Sequence, residues 1–448
     1  MYLFQDKHVT NSESKTEAKI PSTKLQRLGV IGSLVTRVAS NMVAEGAKQL
    51  ASGKKPNARD LLLTPQNAAK VAEKLSHLRG AAMKVGQLVS MEAGDLLPKE
   101  LTEILSILRS DASPMPAKDL ANILETELGS QWQGNFITFT FKPMAAASIG
   151  QVHEAYSDDG DHLAIKVQYP GVKNSIESDV DNVGTLLRVT GLVPDAVDYK
   201  SLLVEAKKQL LEEADYIREA EMINQYREKL ASLPQFVVPR VFDNITTPNV
   251  LAMEYIEGDV IDSVVDQPQE VRDAVVTHLF ELLLKEIFSF RLVQTDPNFA
   301  NYLYQSHTGK IALLDFGATR VYPEKFSVGY LQLMASAVAG NQQGIEKALS
   351  DIGFFSTEIM PEQKRAVVEL VEMAMEPMKF SGAYDFASSD LALRIREAGM
   401  ALSMEKGYWH TPPIDAMFLH RKIGGLYLLA VKLKAKVNVA KLLEPYII

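Results

Sequence analysis

Asp296, Asn301 and Asp315 stand at spacings that suit phosphoryl transfer. Asp296 precedes Asn301 by five positions in Thr295-Asp-Pro-Asn-Phe-Ala-Asn301, and Asp315 opens Asp315-Phe-Gly317 fourteen residues later. One carboxylate can receive or orient a nucleophile's proton, while an amide oxygen and a second carboxylate hold the Mg2+ that neutralises a triphosphate. A tight loop has to gather all three, so the short spacing is part of the chemistry. Upstream, Leu163-Ala-Ile-Lys166 resembles V-A-I-K, whose strand lysine contacts the α- and β-phosphates and pairs with a helix glutamate. Before it stands Ala145-Ala-Ala-Ser-Ile-Gly-Gln-Val152. Aligned with G-x-G-x-x-G-x-V it keeps Gly150 and Val152 but puts Ala145 and Ala147 at the first two glycine positions. A Cβ at each position restricts positive φ and the approach of backbone N–H groups to phosphate, so this loop should grip nucleotide differently from a glycine loop.

These residues need a scaffold, and the pattern of the chain supplies one. Phe136-Ile-Thr-Phe-Thr-Phe141 alternates at period two and opens a β-rich stretch, with strands expected over 149–156, 163–168, 237–242 and 250–256. A single long helical block is expected over 199–230, and from residue 271 the chain reads as helical to its end, interrupted by a loop-and-strand island over 293–319. On the N-terminal side, 25–50 is an amphipathic helix. Thr64-Pro65 starts a long helix whose seam, Val71, Leu75, Leu78, Ala82, Val85 and Val89, recurs at spacings of four and three. On a neighbouring face Gly80, Lys84 and Gln87 line up at i, i+4 and i+7. Shorter helices are expected over 98–109 and 116–128. The order is α+β: a disordered tail over 1–24, a helical extension over 25–130, a mixed N-lobe over 131–257 and a helical C-lobe over 258–448.

The 448 residues, 46% hydrophobic and 23% charged, belong to a core-building protein rather than a disordered polymer. Net charge is −9, which gives no global reason to bind nucleic acid. Residues 1–60 hold ten Lys/Arg against five Asp/Glu and residues 421–448 hold six against one, so each end is +5 and the middle is −9 − 10 = −19. Basic ends suit contact with an anionic lipid surface. Without cysteine there can be no disulfide, thiolate nucleophile or Cys-ligated metal. No stretch supplies 18 to 20 consecutive apolar residues; the nearest, 326–345, ends in Asn341, Gln342 and Gln343. The chain reads as cytoplasmic, peripheral to the inner face of a membrane.

Lys84-Val-Gly-Gln87, Ala145-Ala-Ala-Ser148, Leu163-Ala-Ile-Lys166, Glu213-Ala-Asp215 and Gln294-Thr-Asp-Pro-Asn-Phe-Ala-Asn301 together resemble the UbiB-type (AarF) atypical kinases linked to ubiquinone biosynthesis. The likeness covers roughly residues 25–448, and Leu419-His-Arg-Lys-Ile-Gly-Gly425 resembles that family's C-terminal region. The transmembrane pair of its membrane-bound members is not found in this sequence. The resemblance implies a bilobal protein-kinase-like fold with the helical extension packed over the active site, and ATP and Mg2+ as cofactors. Ala145, Ala146, Ala147, Ser148, Gly150, Val152, Glu254 and Ile256 would line the nucleotide; Lys166 would be its lysine and Glu219 the helix partner. Asp296 would be catalytic, with Asn301 and Asp315 on the metal. Lys84 and Gln87 would form a regulatory cover facing Glu213 and Asp215, blocking protein substrates and favouring ATP hydrolysis or a small-molecule or lipid-linked acceptor. Binding without turnover, as a nucleotide-gated scaffold for ubiquinone-pathway proteins, is the alternative.

In a straight helix Glu212, Asp215 and Glu219 share one face, while Glu213 points about 200° around from Asp215 at 100° per residue. Either the helix is irregular there or the two carboxylates do different jobs. The histidines 153, 162, 278, 307, 410 and 420 show no H-x-x-x-H spacing, so zinc is not indicated. Trp132 and Trp409 read as packing residues, and Asn298 either contacts the metal or braces its loop.

Overall fold

The β-branched and aromatic runs do form a sheet. In the computed structural model, which describes residues 79–93, 114–190, 199–296, 298–355, 359–404 and 412–447, β1 (Phe136–Phe139), β3 (Gly150–Ser157), β4 (His162–Gln168) and β6 (Val250–Glu254) pair in that order, and β2 (Ala145–Ala146) hangs on β3. Period-two alternation sorts β4. Leu163, Ile165 and Val167 join Leu120 and Leu124 of α2 (Ala117–Leu128), Trp132, Phe136 and Val250 in one core, while Lys166 and Gln168 point to the other face. Trp132 is buried against Phe136, Phe139 and Phe141, a packing role. A layer of helices, α1 (Arg79–Ala93), α3 (Val172–Thr190) and α4 (Tyr199–Glu213), packs together. This unit comprises the described residues up to Asn224 together with Arg240–Tyr255.

Three expectations are corrected. The block over 199–230 is two helices, α4 and α5 (Tyr216–Lys229), broken at Ala214-Asp215. The strand expected over 237–242 shrinks to β5 (Phe236–Val237) and one bridge, Val241 to Met253, because Pro239 has no N–H to offer a ladder. Helix α3 was not expected at all: Asn174, Ser175, Ser178, Asp179, Asp181 and Asn182 dilute its apolar stripe, although Ile176, Val180, Val183 and Leu187 are buried. The helices expected over 25–50 and 98–109, the start of the long helix and the polar tail lie outside the described residues.

The second unit holds Gln225–Pro239 and the described residues from Ile256 on. Its spine is α6 (Gln269–Leu284), polar in its first turns and buried from Val275 on through Val275, Val276, Leu279, Phe280, Leu282, Leu283 and Leu284, which continues as a π-helical turn, Lys285–Phe290, and stops at Arg291 in the left-handed region, φ 52. Four short strands follow in two ladders. β8 (Leu292–Gln294) pairs antiparallel with β11 (Thr319–Val321), and β9 (Tyr302–Gln305) pairs antiparallel with β10 (Lys310–Leu313), flanked by β7 (Asp259–Val260) and β5. The helical remainder comprises α7 (Glu324–Val338), α8 (Gln342–Ile352), α9 (Pro361–Ala374), α10 (Glu376–Lys379), α11 (Leu391–Met404), α12 (Ile414–Lys432) and α13 (Val439–Ile447). The apolar stretch over 326–345 is split by Gly340, φ 67, and by Asn341, whose Oδ1 accepts from the Gly344 N–H at 3.0 Å to cap α8. Among the described residues no helix is long and apolar enough to cross a membrane.

Candidate active-site residues

In the first unit the chemistry centres on Lys166. It sits mid-strand on β4, between Val152 of β3 and Leu251 of β6, so its backbone is fixed from both sides. Its Nζ donates to both carboxylate oxygens of Glu219, at 2.7 and 2.9 Å, with both side chains buried, and it lies 5.4 Å over the Tyr216 ring. Glu219 is in the first turn of α5, where a carboxylate suits the helix dipole. That turn starts where it does because Asp215 caps it: the Arg218 N–H donates to Asp215 Oδ1 at 3.1 Å, and the Glu219 N–H opens the helical ladder to the Asp215 carbonyl at 3.0 Å. The helix break therefore divides the labour of the acidic pair. Asp215 caps α5, and Glu213, at the last position of α4, pairs with Lys84 of α1 and accepts from Ser148 Oγ at 3.1 Å.

The alanine-rich loop is a hairpin. Ala145 and Ala146 pair with Val152 and Gln151, and the Ala147 N–H donates to the Gly150 carbonyl at 2.9 Å, so that N–H is engaged by the turn. Gly150 has a packing reason as well as a loop position. A Cβ there would stand 2.3 Å from the Val167 carbonyl oxygen. Gly80 allows α1 to approach, since its Cβ would meet the Ser148 carbonyl and Ile149 at 3.1 Å. The loop is thus tied to α1 twice, through that contact and through Ser148–Glu213–Lys84. Gln87 is half-buried on the same helix. Glu254 is exposed, its carboxylate accepting from the Arg240 N–H at 3.1 Å, and Ile256 begins the second unit. His153 is buried and neutralised: desolvation lowers its pKa while the bond to the Thr140 carbonyl opposes that. Its ring links that carbonyl, 2.9 Å from Nδ1, to Gln151 Nε2, 2.9 Å from Nε2.

In the second unit two ladders clamp the loop residues. β8 ends two residues before Asp296 and β9 begins directly after Asn301; β10 ends two residues before Asp315 and β11 begins two after Gly317. The registers Gln294 to Thr319 and Tyr302 to Leu313 bring both loops together, and the Leu314 N–H donates to the Asn301 carbonyl at 3.0 Å. Asn301 Nδ2 donates to Asp296 Oδ2 at 3.0 Å, which orients its Oδ1 as an acceptor. Asn298 braces the loop by capping its single turn, Oδ1 accepting from the Ala300 N–H at 3.2 Å. Asp315 Oδ1 accepts from the Gly317 N–H at 3.0 Å, and Phe316 is buried 4.8 Å from the Tyr226 ring. Burial first, then the charges of Glu286, Asp296 and Asp315, push the Tyr302 hydroxyl well above its ordinary pKa.

Three residues escaped sequence reasoning. Glu286 on the π-helical turn is fully buried; it accepts from Tyr226 Oη at 2.7 Å and from the Gln294 N–H at 3.3 Å, and it pairs with Lys422 Nζ at 2.5 Å. Arg421 Nη2 lies 3.6 Å from Asp296 Oδ1. Leu419-His-Arg-Lys422 was visible as a motif, but a charge that will be buried looks in sequence like any surface charge.

The ABC1 atypical kinase-like domain family matches residues 107–349. The chain is also 36% identical over 429 residues to the mitochondrial atypical kinase COQ8 of Saccharomyces cerevisiae, covering 95% of this chain and 85% of that one. The chain belongs to the ABC1 (UbiB-type) atypical kinase-like family. Within it, the mitochondrial atypical kinase COQ8B of Danio rerio is 36% identical, over 95% of this chain and 68% of its own. A probable serine/threonine-protein kinase, abkA of Dictyostelium discoideum, is 33% identical over 94% of this chain and 78% of its own. The kinase-like fold is shared with the structure of Rv3197 in complex with erythromycin from Mycobacterium tuberculosis, at 23% identity and TM-score 0.59, covering 92% of this chain and 98% of that one. Lys166, Glu219, Asp296, Asn301 and Asp315 all fall inside the matched family domain; Lys84, Arg421 and Lys422 fall outside it.

Proposed function

We propose that this chain binds Mg-ATP and transfers its γ-phosphoryl group to water or to a small or lipid-linked acceptor, in support of ubiquinone or related prenyl-lipid metabolism. The observation that carries this reading is the Lys166–Glu219 pair: a buried strand lysine held by both oxygens of a helix carboxylate is oriented as a phosphate-binding cation. Asn301 Oδ1 and Asp315 would hold Mg2+. Among the described residues no three His, Cys, Asp or Glu side chains are grouped to hold a metal by themselves, which fits an ion that takes its remaining ligands from phosphate oxygens and water. When bound, Mg2+ neutralises the charge that develops on the phosphates. Asp296, oriented by Asn301, would take or orient the nucleophile's proton. Ala145–Val152 would line the nucleotide with fewer available N–H groups than a glycine loop, since Ala147's is used in the turn. The α1 helix, tied down by Lys84, would act as the regulatory cover. The basic ends suit attachment to an anionic membrane surface, each basic side chain adding about 1 kcal/mol.

Phosphate release from ATP by the full chain, together with thermal-shift titration by Mg-ATP, tests the reading. Asp315→Asn should abolish release, and Asp315→Ala should lose the Mg-ATP stabilisation. Stabilisation of the wild type with no release at all would favour a nucleotide-gated scaffold, a role that the engaged Ala147 N–H and the Lys84–Glu213 tie also fit. Unchanged stabilisation in Asp315→Ala would overturn the metal assignment.

A further inference from the structure

The loop from Gln294 to Asn301 contains no Lys or Arg, and Thr295 stands where an H-R-D loop carries arginine. A catalytic carboxylate set between metal ligands and a triphosphate still needs a cation beside it, to hold its orientation against the negative charge around it. The fold delivers one from far downstream. Arg421 of α12 places Nη2 3.6 Å from Asp296 Oδ1, while the other oxygen, Oδ2, accepts from Asn301. Oδ1 also accepts from the Asn298 N–H at 3.3 Å, so the loop's own amides meet both carboxylate oxygens and Arg421 adds the charge beside them.

The neighbouring residue shows why α12 can do this reliably. Residues i and i+1 of a helix point about 100° apart, so Arg421 and Lys422 diverge at the helix edge. Lys422 turns inward to the buried Glu286, and the same carboxylate accepts the Gln294 N–H at 3.3 Å. Gln294 is the last residue of β8, two before Asp296. Its Oε1 accepts from Tyr302 Oη at 3.2 Å, so the entry of the loop is tied in turn to the strand that follows Asn301. One helix edge thus fixes the loop twice, at its entry through Lys422–Glu286 and at its functional carboxylate through Arg421.

We propose that Arg421 is the positioning residue of Asp296, a loop cation supplied from the downstream helix α12 instead of from the loop itself. The pair is partly solvated, with the side chains 19% and 28% exposed, so its contribution to global stability is small and its effect is on geometry. This rests on the reading of Asp296 as the catalytic carboxylate, and the experiment separates the two. Wild type, Arg421→Gln and Arg421→Lys are compared as full chains by three measurements: hydrogen exchange of the 292–303 segment without nucleotide, Mg-ATP thermal shift, and kcat and KM for phosphate release. In Arg421→Gln the segment should exchange several-fold faster. The Mg-ATP shift and KM should stay within about twofold of wild type, and kcat should fall roughly 10- to 100-fold, the scale of a small misplacement of a reacting group. Arg421→Lys should recover most of both losses. Unchanged exchange with kcat within about twofold of wild type would overturn the proposal, as would equal losses in Arg421→Lys and Arg421→Gln accompanied by a lowered melting temperature. A wild type that releases no phosphate removes the catalytic reading, and the exchange comparison then decides by itself whether Arg421 holds the loop.

Discussion

Removing the charge of Lys422 should destabilise the second unit severely. Lys422→Met keeps the length and most of the volume of the side chain but leaves Glu286, fully buried, with two neutral donors, Tyr226 Oη at 2.7 Å and the Gln294 N–H at 3.3 Å. Two neutral hydrogen bonds do not replace an ammonium 2.5 Å away. Breaking a buried ion pair by deleting one partner costs about 3–5 kcal/mol, most of it from the stranded charge. For a unit of this size a loss of 1 kcal/mol lowers the melting temperature by roughly 2–4 °C, so the drop should be on the order of 10 °C. Differential scanning calorimetry suits the measurement, because a chain of two units can melt in two steps and only the step of the second unit should move. Lys422→Met/Glu286→Gln should recover most of the loss, since a neutral amide oxygen still accepts both hydrogen bonds and no charge is stranded. Should Lys422→Met melt within about 1 kcal/mol of wild type, or should the double variant be as unstable as the sum of the singles, the pair is not the electrostatic anchor described here.

Two further outcomes follow from the first unit. His153 is held below its ordinary pKa by burial, so between pH 6.5 and its lowered native value the unfolded chain takes up a proton that the native form resists. Stability should therefore fall as pH drops below about 6.5, and His153→Gln, which keeps a polar group beside Gln151, should lessen that acid limb in urea melts at several pH values, the remainder coming from buried His420, whose pKa burial lowers to about 4. Gly150→Ala would push a Cβ to 2.3 Å from the Val167 carbonyl oxygen in the centre of the sheet. It should destabilise by about 1–3 kcal/mol and weaken Mg-ATP binding as β3 shifts away from β4; a variant with wild-type melting and affinity would show that the strand spacing is not set by that glycine.

Where the chain's periodicity and chemistry are local, the sequence alone was enough. Leu163-Ala-Ile-Lys166 already marked a strand lysine in search of a glutamate, and the five-residue spacing of Asp296 and Asn301 already implied one loop, because so few residues of chain cannot carry their side chains far apart; Asp315, fourteen residues on, is returned to that loop by the β9–β10 pairing. The alanines at 145 and 147 set the expectation of a loop that grips nucleotide differently from a glycine loop, for the same local reason. Several features needed the tertiary structure. Glu213 and Asp215 sit in one motif, but only the helix break at Ala214 sends one to Lys84 and sets the other as a cap, and helix ends depend on packing as much as on the residues present. Gly150 looked like a relic of a phosphate loop until the Val167 carbonyl showed what its missing Cβ makes room for. Glu286, Arg421 and Lys422 gave no sequence sign of their role. A charge is stabilised by partners far along the chain, and those partners exist only once α6, α12 and the β8 loop have packed.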